Sequence, residues 1–404
     1  MRNLLLKFFE KVGKSQEIEL FIQRFNVVPR NQFAVLRVST HVIETQLEDI
    51  AESLSFMQHM GIYPVVILDM KNDSYSDSVQ SPVSDSAAGK LFMPIATRLI
   101  EALARYGGEA EIVENIVDVT SPRPSNWTLD HEPINGVLEM DRLPIISPFG
   151  RRNRRRVFVN AEELSHLLVH ELNPIKYILI TEVGGILDQN DAILPFLNLS
   201  QRKEWSHVKT EMKPIVREVR QVLKKSPDCA AIFTSPDNLL KEIFTIKGSG
   251  TFVKKYAITA TSKMADLDID RMKSLLEDAF KKTLVDDFFE DKIKMVLIEK
   301  NYEGVAIIKK IRGIPYLDKI AVAKTSEGTG LGRSLWQKVV EQYPKLVWRS
   351  TPVNPLASFY LRECDGCMKF PKWTVYWRDL DESEIFPMVK KILDIRSTMR
   401  HPDE

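Results

Sequence analysis

Cysteine is the first scarcity: Cys229, Cys364 and Cys367 are the only three in 404 residues. That is far too few for a secreted disulfide scaffold, and a reducing compartment is the simpler reading. Net charge is nearly absent as well. The 56 lysines and arginines stand against 55 aspartates and glutamates, a formal +1, so no general pull toward nucleic acid or an anionic membrane is expected. Nowhere do about 18 apolar residues run uninterrupted, which excludes an ordinary membrane-spanning helix. Internal repeats and long low-complexity tracts are missing too. What is present, 44% hydrophobic and 27% charged, is the composition of a soluble globular protein. The length is too great for one ordinary core, so two domains are expected.

The stretch from Met1 to Phe9 is basic and free of acids, which raises a short targeting sequence. Apolar residues continue at helical spacing through Leu20, Phe21 and Phe25, with Glu10, Glu17 and Glu19 between them. That favours a structural amphipathic helix. With no clear cleavable targeting segment, the compartment is left between mitochondrial matrix and cytoplasm.

From Phe33 to about Ala257, short apolar strands (33–38, 63–68, 143–146, 177–181 and 230–233) alternate with helical stretches (45–59, 91–106, 161–172, 210–225 and 238–244). Such alternation predicts an α/β domain with a parallel sheet and helices on both faces. Residues 74–90 are rich in Ser and Asp and read as a surface loop; polar 259–270 reads as the domain boundary. Beyond it the order changes. Helices are predicted at 270–283, 332–342 and 355–362, and strands at 294–299, 304–310, 316–323, 345–349 and 373–377. Between the third of those strands and the second helix stands Glu327-Gly-Thr-Gly330-Leu-Gly332. A helix start offers unpaired N–H groups and a positive dipole end, and glycines let that backbone approach a pyrophosphate. A simple strand-to-helix connection uses the same residues, so the turn by itself leaves both readings open.

Its neighbours are more specific. Pro315-Tyr-Leu-Asp-Lys-Ile-Ala-Val322, the glycine turn, Leu335-Trp336, Trp348-Arg349-Ser350, Asn354-Pro355 and Asp365-Gly-Cys367 together resemble the C-terminal domain of N-acetylglutamate synthases. The match runs from about Asp270 to Arg378, in the same order and spacing. Upstream, Pro144-Ile-Ile-Ser-Pro-Phe-Gly150, Val159-Asn-Ala-Glu162, the run from Tyr177 to Asp188 and the run from Glu242 to Thr251 resemble an amino-acid kinase. The resemblance implies an amino-acid-kinase-like parallel-sheet domain over residues 1–260, followed by a GNAT-fold α+β acetyltransferase domain over 268–404. It implies acetyl transfer to L-glutamate, the first step of arginine biosynthesis, with acetyl-CoA as a substrate and no metal. A homo-oligomer is implied, a tetramer by family likeness, with N-acetylglutamate kinase a conceivable partner. Active kinases of the family carry a Lys-x-Gly-Gly turn where this chain has Arg37-Val-Ser-Thr40. They carry a His-Gly-Gly-Gly-type turn where it has Leu68-Asp-Met-Lys71. Side chains there obstruct backbone approach to ATP. The domain is therefore expected to be catalytically dead and to sense arginine through the N-terminal helix, Glu242, Gly248, Gly250 and Thr251.

Acetyl transfer requires a held thioester, a neutral amine, a stabilised oxyanion and a proton for the departing thiolate. The resemblance assigns cofactor binding to Ile320, Ala321, Val322, Gly328, Gly330 and Gly332, whose amides can also meet the oxyanion. Glutamate brings two carboxylates, for which Lys319 and Arg349 are the matching cations, Arg349 as a bidentate partner and Lys319 as a point charge. Asn354 adds an amide to the substrate and catalytic set, and Tyr360 matches the tyrosine placed near the cofactor sulfur. The base for the amine is left between an ordered water and a side chain. Thr351, Ala357 and Glu327 depart from the family's Arg, Asn and Gln/Arg. They bear on the amino-acid substrate more than on acetyl-CoA.

Other signals read more blandly. His166 and His170 sit four apart on a helix without an evident third ligand, so a helix surface outweighs a metal site. Cys364-Asp-Gly-Cys367 has no second pair and matches the family's Asp-Gly-Cys, which favours an inert turn. The run from Arg151 to Arg156 reads as a solvated loop. Two rival functions stand beside the synthase: an arginine-sensing pseudoenzyme, and an N-acetylglutamate kinase with an accessory GNAT-like domain.

Overall fold

The computed structural model describes residues 29–70, 85–120, 126–199, 205–244, 250–290, 292–327 and 330–400. The chain divides into two compact units, Met1–Lys255 and Tyr256–Glu404. The expected N-terminal helix and residues 74–84 of the expected loop lie outside the described residues. No described helix is long and apolar enough to cross a membrane.

Unit 1 is built on an eight-stranded sheet. Its strands are β1 (Ala34–Ser39), β2 (Val65–Asp69), β3 (Ala110–Val113), β4 (Leu143–Ile146), β7 (Lys176–Ile180), β8 (Phe196–Asn198), β9 (Ala230–Thr234) and β10 (Thr251–Lys254), in the order β8-β10-β9-β7-β1-β2-β4-β3. Every neighbouring pair is parallel except β9 with β10. All six residues of β1 are buried, as a strand covered on both faces requires. The flanking helices include α1 (Leu47–His59), α2 (Asp85–Arg105), α3 (Ala161–Leu172), α4 (Lys213–Lys225) and the short α5 (Leu239–Phe244). Asn160 caps α3 by accepting from the Glu163 amide at 2.9 Å, and Asn173 ends it in the left-handed region. The Arg151-to-Arg156 run is not a loop. It forms a hairpin of β5 (Phe149–Arg152) and β6 (Arg155–Phe158), turning through Asn153 and Arg154 with φ of 50° and 64°. Two left-handed residues make a tight turn that matches strand twist; without Asn-Gly at its tip, the sequence did not signal it.

Unit 2 holds a seven-stranded sheet. Its strands are β11 (Ile258–Thr261), β12 (Ile293–Glu299), β13 (Gly304–Ile311), β14 (Ile314–Val322), β15 (Leu346–Ser350), β16 (Gly366–Lys369) and β17 (Thr374–Arg378), in the order β11-β12-β13-β14-β15-β17-β16. The polar stretch expected as the boundary thus begins with an edge strand, β11, paired antiparallel with β12. Helix α6 (Ile269–Phe280) buries Met272, Leu275 and Leu276 against Val296, Ile298, Val305 and Ile307. Helix α9 (Glu382–Leu393) buries Met388, Val389 and Ile392 against Ile314, Tyr316 and Val347. Sequence reading missed α9 although Asp381 and Glu384 form a capping box. Pro387, inside the helix, breaks the pattern by removing a donor.

Strand β14 carries the feature that shapes the site. Its register with β13 runs Ile308 opposite Leu317, then Ile307 opposite Lys319. Asp318 is the extra residue of a β-bulge, which bends the strand. With β15 it makes only two described pairs, Tyr316 with Val347 and Leu317 with Trp348. Past the bulge the two parallel strands part.

Candidate active site

Beyond Leu317, Ile320, Ala321 and Val322 pair with Ala306, Val305 and Gly304 on one side. Toward β15 they have no described ladder partner, which leaves strand-edge amides open to an extended ligand. The chain then passes Ser326, whose hydroxyl donates to Glu303 at 2.6 Å, and exposed Glu327. Gly328 lies outside the described residues. Gly330 has φ +81° and is the N-cap of α7 (Leu331–Gln342), without a side-chain cap or an acid in the first turn. Those free helix amides suit an anion. Gly332 is less constrained, because a Cβ there would lie 3.4 Å from Val322, an ordinary contact.

Tyr360, on α8 (Ala357–Glu363), is buried among Trp336, Trp348, Phe359 and Tyr376, with ring centroids 5.5–5.9 Å away. Trp348 is also the last residue of β15 that pairs with β14, so the tyrosine packs where the strands part. Burial, and then neighbouring Tyr376, hold its phenol well above the usual range. The proton therefore stays on the phenol in the resting enzyme. Asn354 accepts from the Leu356 amide at 2.8 Å, making the turn that launches α8.

The two expected substrate cations are both engaged. Lys319 is buried, and its ammonium donates to Asp318 Oδ1 at 2.9 Å and Thr398 Oγ1 at 2.5 Å. Lys309 reaches the other Asp318 oxygen at 2.9 Å. Burial lowers the pKa of Lys319, against the attraction of Asp318; burial raises that of Asp318, but the two lysines prevail and hold it below normal. Arg349 donates to the carbonyls of Ile392 at 2.6 Å, Ile395 at 3.0 Å and Arg396 at 3.2 Å, and lies 4.1 Å over the Trp373 ring. It closes the C-terminal end of α9. Asp318, Lys309 and Thr398 were not singled out from sequence; Thr398 meets Lys319 across 79 positions, a separation no local pattern reports.

In unit 1 the expected effector residues that are described come together. Glu242 is buried and accepts from the Gly250 amide at 2.6 Å, and Thr251 Oγ1 accepts from the Ile186 amide at 2.7 Å. A Cβ on Gly250 would lie 1.9 Å from the Phe233 carbonyl oxygen, so glycine is obligatory. Gly248 lies outside the described residues.

Comparison with known proteins follows this geometry. The family described as "NAT, N-acetyltransferase, of N-acetylglutamate synthase" matches residues 258–395, and the amino acid kinase family matches 33–233. An acetylglutamate kinase of Xanthomonas campestris is 31% identical over 92% of this chain and 96% of its own. The mitochondrial N-acetylglutamate synthase of Danio rerio is 29% identical over 87% and 71%. The chain belongs to the N-acetylglutamate synthase family with an amino-acid-kinase domain. The fold agrees with that of the Neisseria gonorrhoeae N-acetylglutamate synthase solved with coenzyme A and N-acetyl-glutamate, at TM-score 0.55 and 14% identity over 90% of this chain and 98% of that one. The same synthase solved with coenzyme A and L-arginine gives TM-score 0.53.

The end of β1 is filled by side chains. Arg37, at the lysine position of active kinases, is buried and donates to Asp69 on β2 at 2.7 Å and to Glu218 on α4. Burial pushes Glu218 up to about 7, with Arg37 pulling the other way. Ser39 and Thr40, at the glycine positions, are buried too. Among the described residues, no group of three His, Cys, Asp or Glu is placed to share a metal; burial lowers the pKa of His166. Cys364-Asp-Gly-Cys367 is not a free-standing turn. It enters edge strand β16, where a Cβ on Gly366 would lie 2.5 Å from the Trp377 ring.

Proposed function

We propose that this chain transfers the acetyl group of acetyl-CoA to the α-amine of L-glutamate, with L-arginine as effector. What carries the reading is the parting of β14 from β15 beside the Gly330-started helix, within the matched acetyltransferase region. The pyrophosphate sits on the start of α7 at Gly330 and Gly332, and the thioester arm lies along Ile320, Ala321 and Val322. An amide of that edge meets the oxyanion. Lys319, Arg349 and Asn354 organise the acceptor. The amine attacks the thioester carbon, the C–S bond breaks, the thiolate takes the phenolic proton of Tyr360, and the proton shed by the amine returns through water to the phenolate. Coenzyme A, N-acetyl-glutamate and L-arginine, the ligands named for the Neisseria synthase, are the classes this reading assigns. The test is thiol release from acetyl-CoA. Release that depends on glutamate and responds to arginine is expected; none with glutamate ends the reading.

Arginine is assigned to the Glu242, Gly250 and Thr251 corner. Glu242→Ala removes the carboxylate and the acceptor of the Gly250 amide, so calorimetry should show arginine binding lost at millimolar concentration. Wild-type protein should bind there, a Kd worth about −4 kcal/mol; no wild-type binding refutes the assignment. A tetramer, a complex with N-acetylglutamate kinase, and a mitochondrial or cytoplasmic site belong to the same reading, with sedimentation as the first check.

The name of the Xanthomonas relative favours a second reading, a kinase in unit 1. Arg37, bound to Asp69 and Glu218 with Ser39 and Thr40 after it, opposes that reading by filling the place of the phosphate loop. ATP and N-acetylglutamate should yield no ADP above background in a coupled assay. Sustained ADP formation would install the kinase reading instead.

A further inference from the structure

Arg349 directly follows Trp348, the last residue of β15 paired with β14, and Lys319 follows the bulged Asp318 on β14. No described ladder pair links the two cations. They are nevertheless close enough for Arg349 to disfavour the charge on Lys319. The chain after α9 reaches both. Carbonyls of Ile392, Ile395 and Arg396 accept from Arg349, and Thr398 Oγ1 accepts from Lys319. This segment is itself tied down. The Val285 amide donates to the Thr398 carbonyl at 3.2 Å, Thr283 and Leu284 pair with Arg400 and Met399, and Arg396 meets Asp287 at 2.6 Å.

Thr398 is 6% exposed. A hydroxyl that accepts from an ammonium keeps its own hydrogen to donate, and the ammonium polarises it into a stronger donor. Among the described residues, no acceptor takes that hydrogen. Around it, Lys309 and Lys319 share one carboxylate, Asp318, and the charge of Arg349 is felt at Lys319. Three cations against one anion leave two positive charges, while Arg396 and Asp287 cancel. An acceptor bearing two carboxylates is the complementary ligand.

We propose that Thr398 is an acceptor-positioning residue: its hydroxyl, polarised by Lys319, donates to a carboxylate of an amino acid carrying two of them. The proposal rests on the acetyl-transfer reading above. In it, the C-terminal segment binds two strand ends that the sheet leaves separate into one site, and Lys319 acts through the hydroxyl.

Steady-state kinetics of the full chain decide it, with glutamate and glutamine as acceptors. Thr398→Val keeps the shape and cannot donate; Thr398→Ser keeps the donor. Thr398→Val should raise the KM for glutamate about tenfold or more, with kcat and the KM for acetyl-CoA within about twofold. The preference for glutamate over glutamine should narrow, and Thr398→Ser should restore both. Should the valine variant fail to fold, Thr398→Ala is read in the same way against Thr398→Ser. An unchanged glutamate KM overturns the proposal. So does a lowered one, which would make the segment an obstruction, or an equal rise in both KM values. Wild-type turnover with an unaffected variant ends this proposal alone. Wild-type protein that releases no thiol with glutamate ends the acetyl-transfer reading and this one together.

Discussion

Tyr360→Phe should lower kcat for acetyl transfer about 100-fold while leaving the KM values for glutamate and acetyl-CoA within about twofold. The substitution removes one oxygen and keeps the ring, so contacts with Trp336, Trp348, Phe359 and Tyr376 are preserved. What disappears is a proton held firmly by burial and available when the C–S bond breaks. A departing thiolate without a donor must wait for water, and that delay falls on the chemical step alone. Substrates bind as before because neither assigned binding set includes the phenol. Near-normal kcat in the variant would remove Tyr360 from catalysis. A collapse of both KM values would make its role architectural.

Arg37→Ala should destabilise unit 1 by about 3–5 kcal/mol, the usual cost of breaking a buried ion pair. Arg37 joins three elements at one point: its own strand β1, Asp69 at the end of β2 and Glu218 on α4. Removing the guanidinium takes the shared cation from two acids, in a place where Glu218 is already hard to ionise. Replacing both long partners, as Arg37→Met with Glu218→Gln, should recover part of the loss, since it removes the buried Glu218 charge and leaves that of Asp69. Hydrogen exchange of the β1 and β7 amides in the full chain reads the effect on unit 1. Protection equal to wild type in Arg37→Ala would show that the cluster contributes nothing.

The parallel strands of unit 1 were legible because a strand buried on both faces reads as a nearly continuous apolar run, interrupted in β1 by Arg37. Val35, Leu36 and Val38 announce β1 without help from distant residues. Strand β11 was not legible, since half of its residues face outward at a sheet edge and look like linker. The β5–β6 hairpin hid behind its arginines, and α9 behind Pro387. Within the site, Gly330 and Tyr360 could be found from motif order. The employment of Arg349 and Lys319 could not: their partners lie more than 40 positions away, and only the folded chain brings Ile392 or Thr398 to them. Sequence put the two cations near strand ends; Lys319 lies instead in the middle of β14, and sequence was silent about what binds it and Arg349 together.

The bulge at Asp318 decides which side chains of β14 face inward. Before it, Ile314 and Tyr316 are buried; after it, Lys319 and Ala321 are, so the inward set changes from even to odd numbers. Deleting Asp318 would restore a regular ladder with Lys319 still opposite Ile307 and Ala321 still opposite Val305, at the loss of the carboxylate between Lys309 and Lys319. One residue added after Lys319 would instead turn every later side chain of the strand over. Ala321 would leave the core and Ile320 would enter it. A loop elsewhere can gain residues with little penalty. Between Lys319 and Val322, natural variation should therefore contain no insertion.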